Sequence, residues 1–328
     1  MVTPASGGRG SSVTRLPPVP RWSPSTDREV RAATGDRVRL LTDADTAALA
    51  ALSARAPVSN VFVDSLLEAG RLAGPRGGAA GTLFLGIDDD APGAGALRAA
   101  VWIGSNVVPV AASEAPDAGW APGDAEALGA AAAALRRRYG SIYGPAGPVL
   151  AAGEALAAAG HRSRSVRADQ PLLVLGAAGG IDPNPYVVQA QPRDFARVLP
   201  ASAAMFEEEL GFSPFAGGAA QYRDRVERLI HAGRVFIDPG PRDAGGPLRF
   251  KADIGLLSSR CAQIQGVWMA PAARGRGLAA SAMAAVVDYV RLQAPVVSLY
   301  VNAYNTPALR TYERVGFERR GTFATVLY

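Results

Sequence analysis

The sequence predicts an α/β protein of two consecutive domains that use one architecture twice. Strand-length apolar runs alternate with helical patterns over residues 37–328, and the order of elements in the first half recurs in the second. Between the halves, residues 176–185 are a run of Gly, Ala, Asp, Asn and Pro suited to a flexible connection. A hydrophobic content of 48% and a mean hydropathy of +0.08 are those of a globular chain long enough for two cores.

Residues 1–36 are rich in Gly, Ser, Pro and Arg and are expected to be a disordered tail. A short strand at 37–41 follows, then Thr42-Asp43-Ala44-Asp45, a capping-type helix start. Strands at 82–87, 97–103 and 106–111, parted by Asp- and Gly-rich turns, predict a meander. Helix 123–139, strand 141–143, helix 149–159 and strand 164–175 complete a first domain at 37–176, with a linker at 177–185. The second domain, 186–328, repeats the order. It has a strand at 186–190, helices at 192–210 and 219–232, and strands at 234–237, 248–257 and 262–269. Helix 278–292, strand 296–301, helix 306–315 and a strand pair within 317–327 follow, with no residue-level repeat between the halves.

Composition excludes several classes. Every apolar run is broken well before the ~18 residues a membrane span needs, and the N-terminus lacks the apolar stretch of a secretory signal. With Cys261 alone, no intramolecular disulfide is possible, and a reducing cytoplasm is expected. The formal charge is +5, yet the cations are almost all Arg, scattered among acids, with Lys251 the sole lysine. No basic stripe interleaved with aromatics emerges, so neither a nucleic acid nor a membrane is an expected partner. His161 and His231 lie in different halves without metal-ligand spacing, and no metal is expected.

The informative stretch runs from Val267, Trp268 and Met269 through Arg274-Gly275-Arg276-Gly277 to Leu278 and Ala279. A strand ends, a Gly-rich turn follows, and a helix begins with its unpaired N–H groups directed back at the turn. Gly275 and Gly277 let the backbone approach a pyrophosphate closely, and Arg274 and Arg276 add positive charge. About twenty-five residues on, the run Asn302, Asn305, Ala308, Tyr312, Gly316, Phe317 gives a strand–helix unit with Pro307 in the first helical turn.

These two motifs, in this order, resemble the GNAT acyltransferase superfamily, whose coenzyme A loop has the form Arg/Gln-x-x-Gly-x-Gly/Ala, here Arg274, Gly277 and Ala279. The resemblance implies tandem GNAT-like domains, each a mixed, mostly antiparallel sheet flanked by helices. It also implies acetyl-CoA as co-substrate and a backbone N–H at Val267 to Met269 that meets the thioester oxygen. Tyr312 is then the candidate general acid toward the departing thiolate. Asn305 either caps its helix or bonds the pantetheine arm. The amine must lose a proton before attack, and Glu207, Glu208 and Glu209, at the end of a helix that lines the acceptor site in such folds, supply candidate bases, with Glu208 and Glu209 preferred. Asp253 is a weaker candidate; it shares a strand face with Lys251, where an ion pair or a site contact are both open.

At the equivalent loop the first half has an acidic run over 113–124 without a close Gly pair, which would repel a diphosphate. The chain thus resembles a tandem actinobacterial type, in which a degenerate GNAT-like domain of unknown function precedes an active acetyltransferase. The expected reaction is acetyl transfer to a primary amine on a small molecule or a protein. A non-catalytic acyl-CoA sensor or interaction module and an aminoacyl-tRNA-dependent peptidyltransferase stay open. The tandem domains are compatible with a monomer, and the acceptor's identity carries no motif.

Overall fold

Three apolar strands that follow one another in sequence dictate the first sheet. β2 (Leu83–Asp88), β3 (Leu97–Ile103) and β4 (Asn106–Val110) are buried on both faces and pair antiparallel as a meander, with β1 (Arg39–Leu40) on its outer edge. The structure, a computed structural model, describes residues 24–77, 81–89, 95–115, 120–177, 179–216, 218–240 and 246–328. On one face lie α2 (Thr46–Ser53) and α3 (Val61–Glu68), which bury Leu49, Leu52 and Val63 against Phe84 and Trp102. The other face is covered by α4 (Asp124–Ala134) and α5 (Ala146–Ala158), which flank β5 (Ser141–Pro145).

The expected tail is shorter than its composition indicated. Residues 1–23 lie outside the described residues, but Pro24–Thr34 forms helix α1. Val30 is fully buried there in the core beside Leu128 and Ala132 of α4, and Asp27 Oδ1 accepts from the Leu40 amide at 2.8 Å. One large apolar side chain in an eleven-residue helix gives a weak periodic signal, and the docking surface on α4 decides the outcome.

The second half repeats the plan with β7 (Val188–Gln189), α6 (Phe195–Leu210), α7 (Ala219–His231), β8 (Val235–Asp238), β9 (Phe250–Leu257) and β10 (Cys261–Met269). α8 (Leu278–Arg291), β11 (Val296–Tyr300), α9 (Thr306–Val315) and β12 (Phe317–Leu327) complete it. α6 and α7 cover one face through Val198, Val226 and Ile230, while α8 and α9 cover the other through Met283, Val286, Tyr312 and Val315.

Among the described residues twelve strands form one sheet in the order β1-β2-β3-β4-β5-β12-β6-β11-β10-β9-β8-β7, where β6 is Ser165–Leu175. The sheet is thus continuous across the division expected at residue 176. The two halves exchange their last strands: β12, from the end of the chain, pairs with β5 of the first half, and β6, from the first half, pairs with β11 of the second. The expected strand pair in 317–327 is instead a single eleven-residue strand antiparallel to β6. The pairing of β6 with β12 closes strand edges that two separate sheets would leave open. Val58, Val61, Leu172, Cys261 and Phe323 form an apolar cluster across the junction. Arg260 pairs with Asp64 at 3.0 Å, and Glu68 accepts from the Ser259 amide and hydroxyl. Together these contacts fix the first half beside the mouth of the second.

Candidate active site

β10 and β11 run parallel only over Cys261, Ala262 and Gln263 against Val296, Val297 and Ser298; beyond that they diverge and open a fork in the sheet. On its other side, β10 steps three residues, Gln265 to Trp268, while β9 steps two, Asp253 to Lys251. The extra residue is a β-bulge that leaves Gly266 and Val267 without partners on β9. Gly266 has φ +58, and a Cβ there would lie 2.7 Å from Asp253 Oδ2, so glycine is required on both counts. A glycine inside a strand pattern is the signal that would have located this bulge.

The fork holds a cavity of about 250 Å³ lined by Val267, Trp268, Asn302, Asn305, Glu209 and Tyr312, among others. Tyr312 projects from α9 with its ring buried against Phe317, centroids 6.0 Å apart. Burial, with the Glu209 charge adding to it, pushes its phenol well above the ordinary value of 10, so the hydroxyl stays protonated throughout the physiological range. Asn305 caps α9, its Oδ1 accepting from the Ala308 amide at 3.3 Å, and so it serves the helix while also facing the cavity.

The Gly-rich loop stands at the end of the same strand. Gly275 and Gly277 have φ +70 and +74, a region favourable only to glycine, and a Cβ on either would project into open space. Gly277 gives α8 no side-chain cap, so the amides of Leu278, Ala279 and Ala280 are free for an anion. Arg276 is exposed and makes no ion pair among the described residues. Arg274, expected at the diphosphate, turns the other way. Its Nε donates to the Met269 carbonyl at 2.9 Å and its Nη2 binds both oxygens of Glu208 at 2.9 and 2.7 Å. Trp268 Nε1 donates to the same carboxylate at 3.2 Å. Glu208 is therefore tied to the loop and to Trp268, contacts between residues far apart in sequence.

Glu209 stands differently. It lines the fork cavity and also an adjoining cavity of about 270 Å³, walled by Tyr222, Arg225, Lys251, Asp253 and Tyr300. Arg167, at 3.1 Å, holds one of its oxygens. Behind it, Lys251 Nζ lies 2.5 Å from Asp253 Oδ2 and 3.3 Å from the Gly266 carbonyl, in a site where Lys251 is 1% exposed. Asp253 Oδ1 has no partner among the described residues. Burial raises the Asp253 carboxyl above the usual carboxylate range, and Lys251 opposes that shift. The ion pair left open by the strand pattern is thus formed, and it also buttresses the bulge. Glu207 does not line either cavity.

The remaining residues weighed from sequence fall outside this centre. Cys261 is buried with its thiol pushed up to about 11, and its Sγ is 3.4 Å from Ser298 Oγ. His161 stacks on Tyr139, and His231 lies 3.8 Å from Glu227 on α7. Among the described residues no group of His, Cys, Asp and Glu is arranged to hold a metal, and no helix is long and apolar enough to cross a membrane. In the first half β4 and β5 also diverge, pairing only at Asn106 and Val107. There the start of α4 carries Asp124, fully buried, which accepts from Arg37 and Arg98 and from the Ala121 amide. A carboxylate already occupies the position an external anion would take. Tyr222, Arg225 and Tyr300 were not singled out from sequence, because they carry no spacing signature.

Residues 218–317 match the Acetyltransferase (GNAT) family, and residues 85–198 match a domain of unknown function, DUF4081. A GNAT-family acetyltransferase from Colwellia psychrerythraea superposes with a TM-score of 0.53 at 10% identity, over 89% of this chain and 99% of that one. A Drosophila protein gives 0.58 at 14% identity, over 89% and 98%. A tandem GNAT protein from the clavulanic acid biosynthesis pathway gives 0.50 at 17% identity, over 88% and 97%. At these identities the likeness is one of fold, and it spans both halves. No curated protein matches the chain.

Proposed function

We propose that this chain, a tandem protein whose second half belongs to the GNAT acetyltransferase family, transfers an acetyl group from acetyl-CoA to a primary amine. One observation carries the reading. The fork between β10 and β11 brings the unpaired Gly266–Val267 bulge, the protonated Tyr312 and the two-faced Glu209 around one cavity, at the end of the strand that leads into the Gly275–Gly277 loop.

The loop fits a diphosphate, with free amides at Leu278 to Ala280, Arg276 as an exposed charge, and open space where side chains on Gly275 and Gly277 would stand. The coenzyme, when bound, supplies the acetyl group as a reactive thioester. At the bulge, where Gly266 and Val267 have no register partner on β9, the Val267 amide serves as the oxygen ligand, the role expected across Val267 to Met269, while Trp268 also holds Glu208. Tyr312 holds a proton on its phenol oxygen and delivers it to the leaving sulfur. Glu209 takes the amine proton, because it alone of the three consecutive acids lines both cavities. Arg274 and Glu208 keep the loop closed on α6, and Asn305 fixes the first turn of α9 and hence Tyr312. The first half serves as a wall, since Asp124 fills its own anion position. The buried thiol of Cys261 suits a cytoplasmic location.

The test is free-thiol release from acetyl-CoA against a panel of amines, polyamines, aminoglycosides and peptides. Thiol release that depends on an added amine supports the reading. Coenzyme binding without turnover of any amine would favour a sensor instead.

A further inference from the structure

A third cavity, of about 620 Å³, opens between the two halves and joins the inner one through shared walls at Arg225, Leu229, Gln265 and Tyr300. Its first-half wall is Phe62, Asn106 and Tyr143; its second-half wall carries Arg225, Arg228 and Arg234. Arg225 and Arg228 sit three residues apart on α7 and therefore on one helical face, and Arg234 follows that helix at the entry to β8. No Asp or Glu lines this cavity, and none of the three guanidinium groups makes an ion pair among the described residues; Arg228 Nε alone is engaged, with the Asp224 carbonyl at 3.2 Å. Three guanidinium groups on one wall, two of them exposed and none paired with an acid among the described residues, present a positive field to an anion. The inner cavity carries Glu209 and the Lys251–Asp253 ion pair, and Arg225 is common to both cavities. The continuous cleft thus has a carboxylate where the amine must react and three guanidinium groups in its outer part, which Phe62 and Tyr143 wall from the first half.

We propose that the acceptor is an amine that also carries an anionic group, a carboxylate or a phosphate, and that Arg225, Arg228 and Arg234 hold that group at the junction of the two halves. The amine and the anion are several bonds apart, because they bind in different cavities. The inference deepens the acetyl-transfer reading by naming the acceptor class. It also gives the first half a function, as half of the acceptor site.

The experiment pairs charged and uncharged acceptors of equal length, 6-aminohexanoate with hexylamine, and uses phosphoethanolamine to separate phosphate from carboxylate. Binding is read by calorimetry and turnover by thiol release, on the whole chain and on Arg228→Gln/Arg234→Gln. The wild type should prefer at least one anionic acceptor over hexylamine. The variant should bind that acceptor about tenfold or more weakly, with acetyl-CoA affinity and hexylamine kinetics unchanged. Arg228→Glu, an exposed single change on α7, must weaken binding in the same order, which covers a double variant that folds poorly. Equal binding of hexylamine and of both anionic probes, or an anionic affinity within twofold of wild type in the variants, overturns the proposal. If the anionic preference holds in binding but no amine is acetylated, transfer fails and the anion site stands. If uncharged amines are acetylated as well as charged ones, the reverse follows.

Discussion

Replacing Tyr312 by Phe separates the chemical role of its phenol from the packing role of its ring. The ring lies in the second-half core with Val315, Phe317 and Met283, and Phe preserves all of that volume. The only influences that act on its hydroxyl are burial and the Glu209 charge, with no hydrogen bond from a described residue. Removing the oxygen therefore leaves no protein partner unsatisfied, and the stability cost should stay below about 1 kcal/mol. Its loss as a proton donor is a different matter. General acid catalysis contributes about 10² to 10⁴ in rate, roughly 3 to 5 kcal/mol of barrier. Since charge develops on sulfur only as the bond breaks, kcat and kcat/KM should fall together while acetyl-CoA affinity is kept. Thiol release under single-turnover conditions, beside a urea melt, measures both quantities. Wild-type turnover with chemistry limiting, or a stability loss of several kcal/mol with turnover intact, would refute the assignment.

Other perturbations test other parts of the argument. Glu209→Gln should lower kcat about 10²-fold at neutral pH, whereas Glu208→Gln should chiefly weaken coenzyme binding by loosening Arg274; a larger kcat loss from Glu208→Gln would reverse the two roles. Asp253→Asn leaves Lys251 buried without its counter-charge and should cost about 3–5 kcal/mol in a denaturant melt, an effect absent if water reaches that ammonium. Acetyl-CoA should stabilise the chain by about 2.7 kcal/mol at a hundredfold excess over Kd, with one site per chain, and Gly277→Asp should remove the effect; a calorimetric stoichiometry of two would show that the first half also binds. Deleting residues 1–36 removes Val30 from the first core and should destabilise by about 1.5–3 kcal/mol, read as a lowered melting temperature. Tyr222 and Tyr300 are both pushed up to about 12, mainly by burial, while an unfolded phenol ionises near 10. The folded state then holds more protons between those values, so stability should fall as pH rises through that window, which midpoints at pH 9 and 11 will show.

The elements themselves were legible because each is decided locally. The meander over β2–β4 follows from apolar runs broken by Asp and Gly, α9 from Pro307 and the Gly316 cap, and the anion loop from two glycines at a strand–helix turn. The two GNAT-like motifs were legible for the same reason. Their spacing is fixed by a strand end and a helix start, which are features of contiguous chain. What the tertiary structure alone decided concerns pairs of residues far apart in sequence. The exchange of β6 and β12 depends on which strand edge each finds, and the alternation within a strand reports its faces, not its partner. The fate of Glu208 is set by Arg274, 66 positions away, and that of Asp253 by a bulge on the neighbouring strand. The cationic mouth joins α7 to Phe62 and Tyr143 of the other half. Helical and strand periodicity report how a residue faces its own element, whereas reactivity depends on what stands opposite it across a cavity, and only the packing of one element on another settles that.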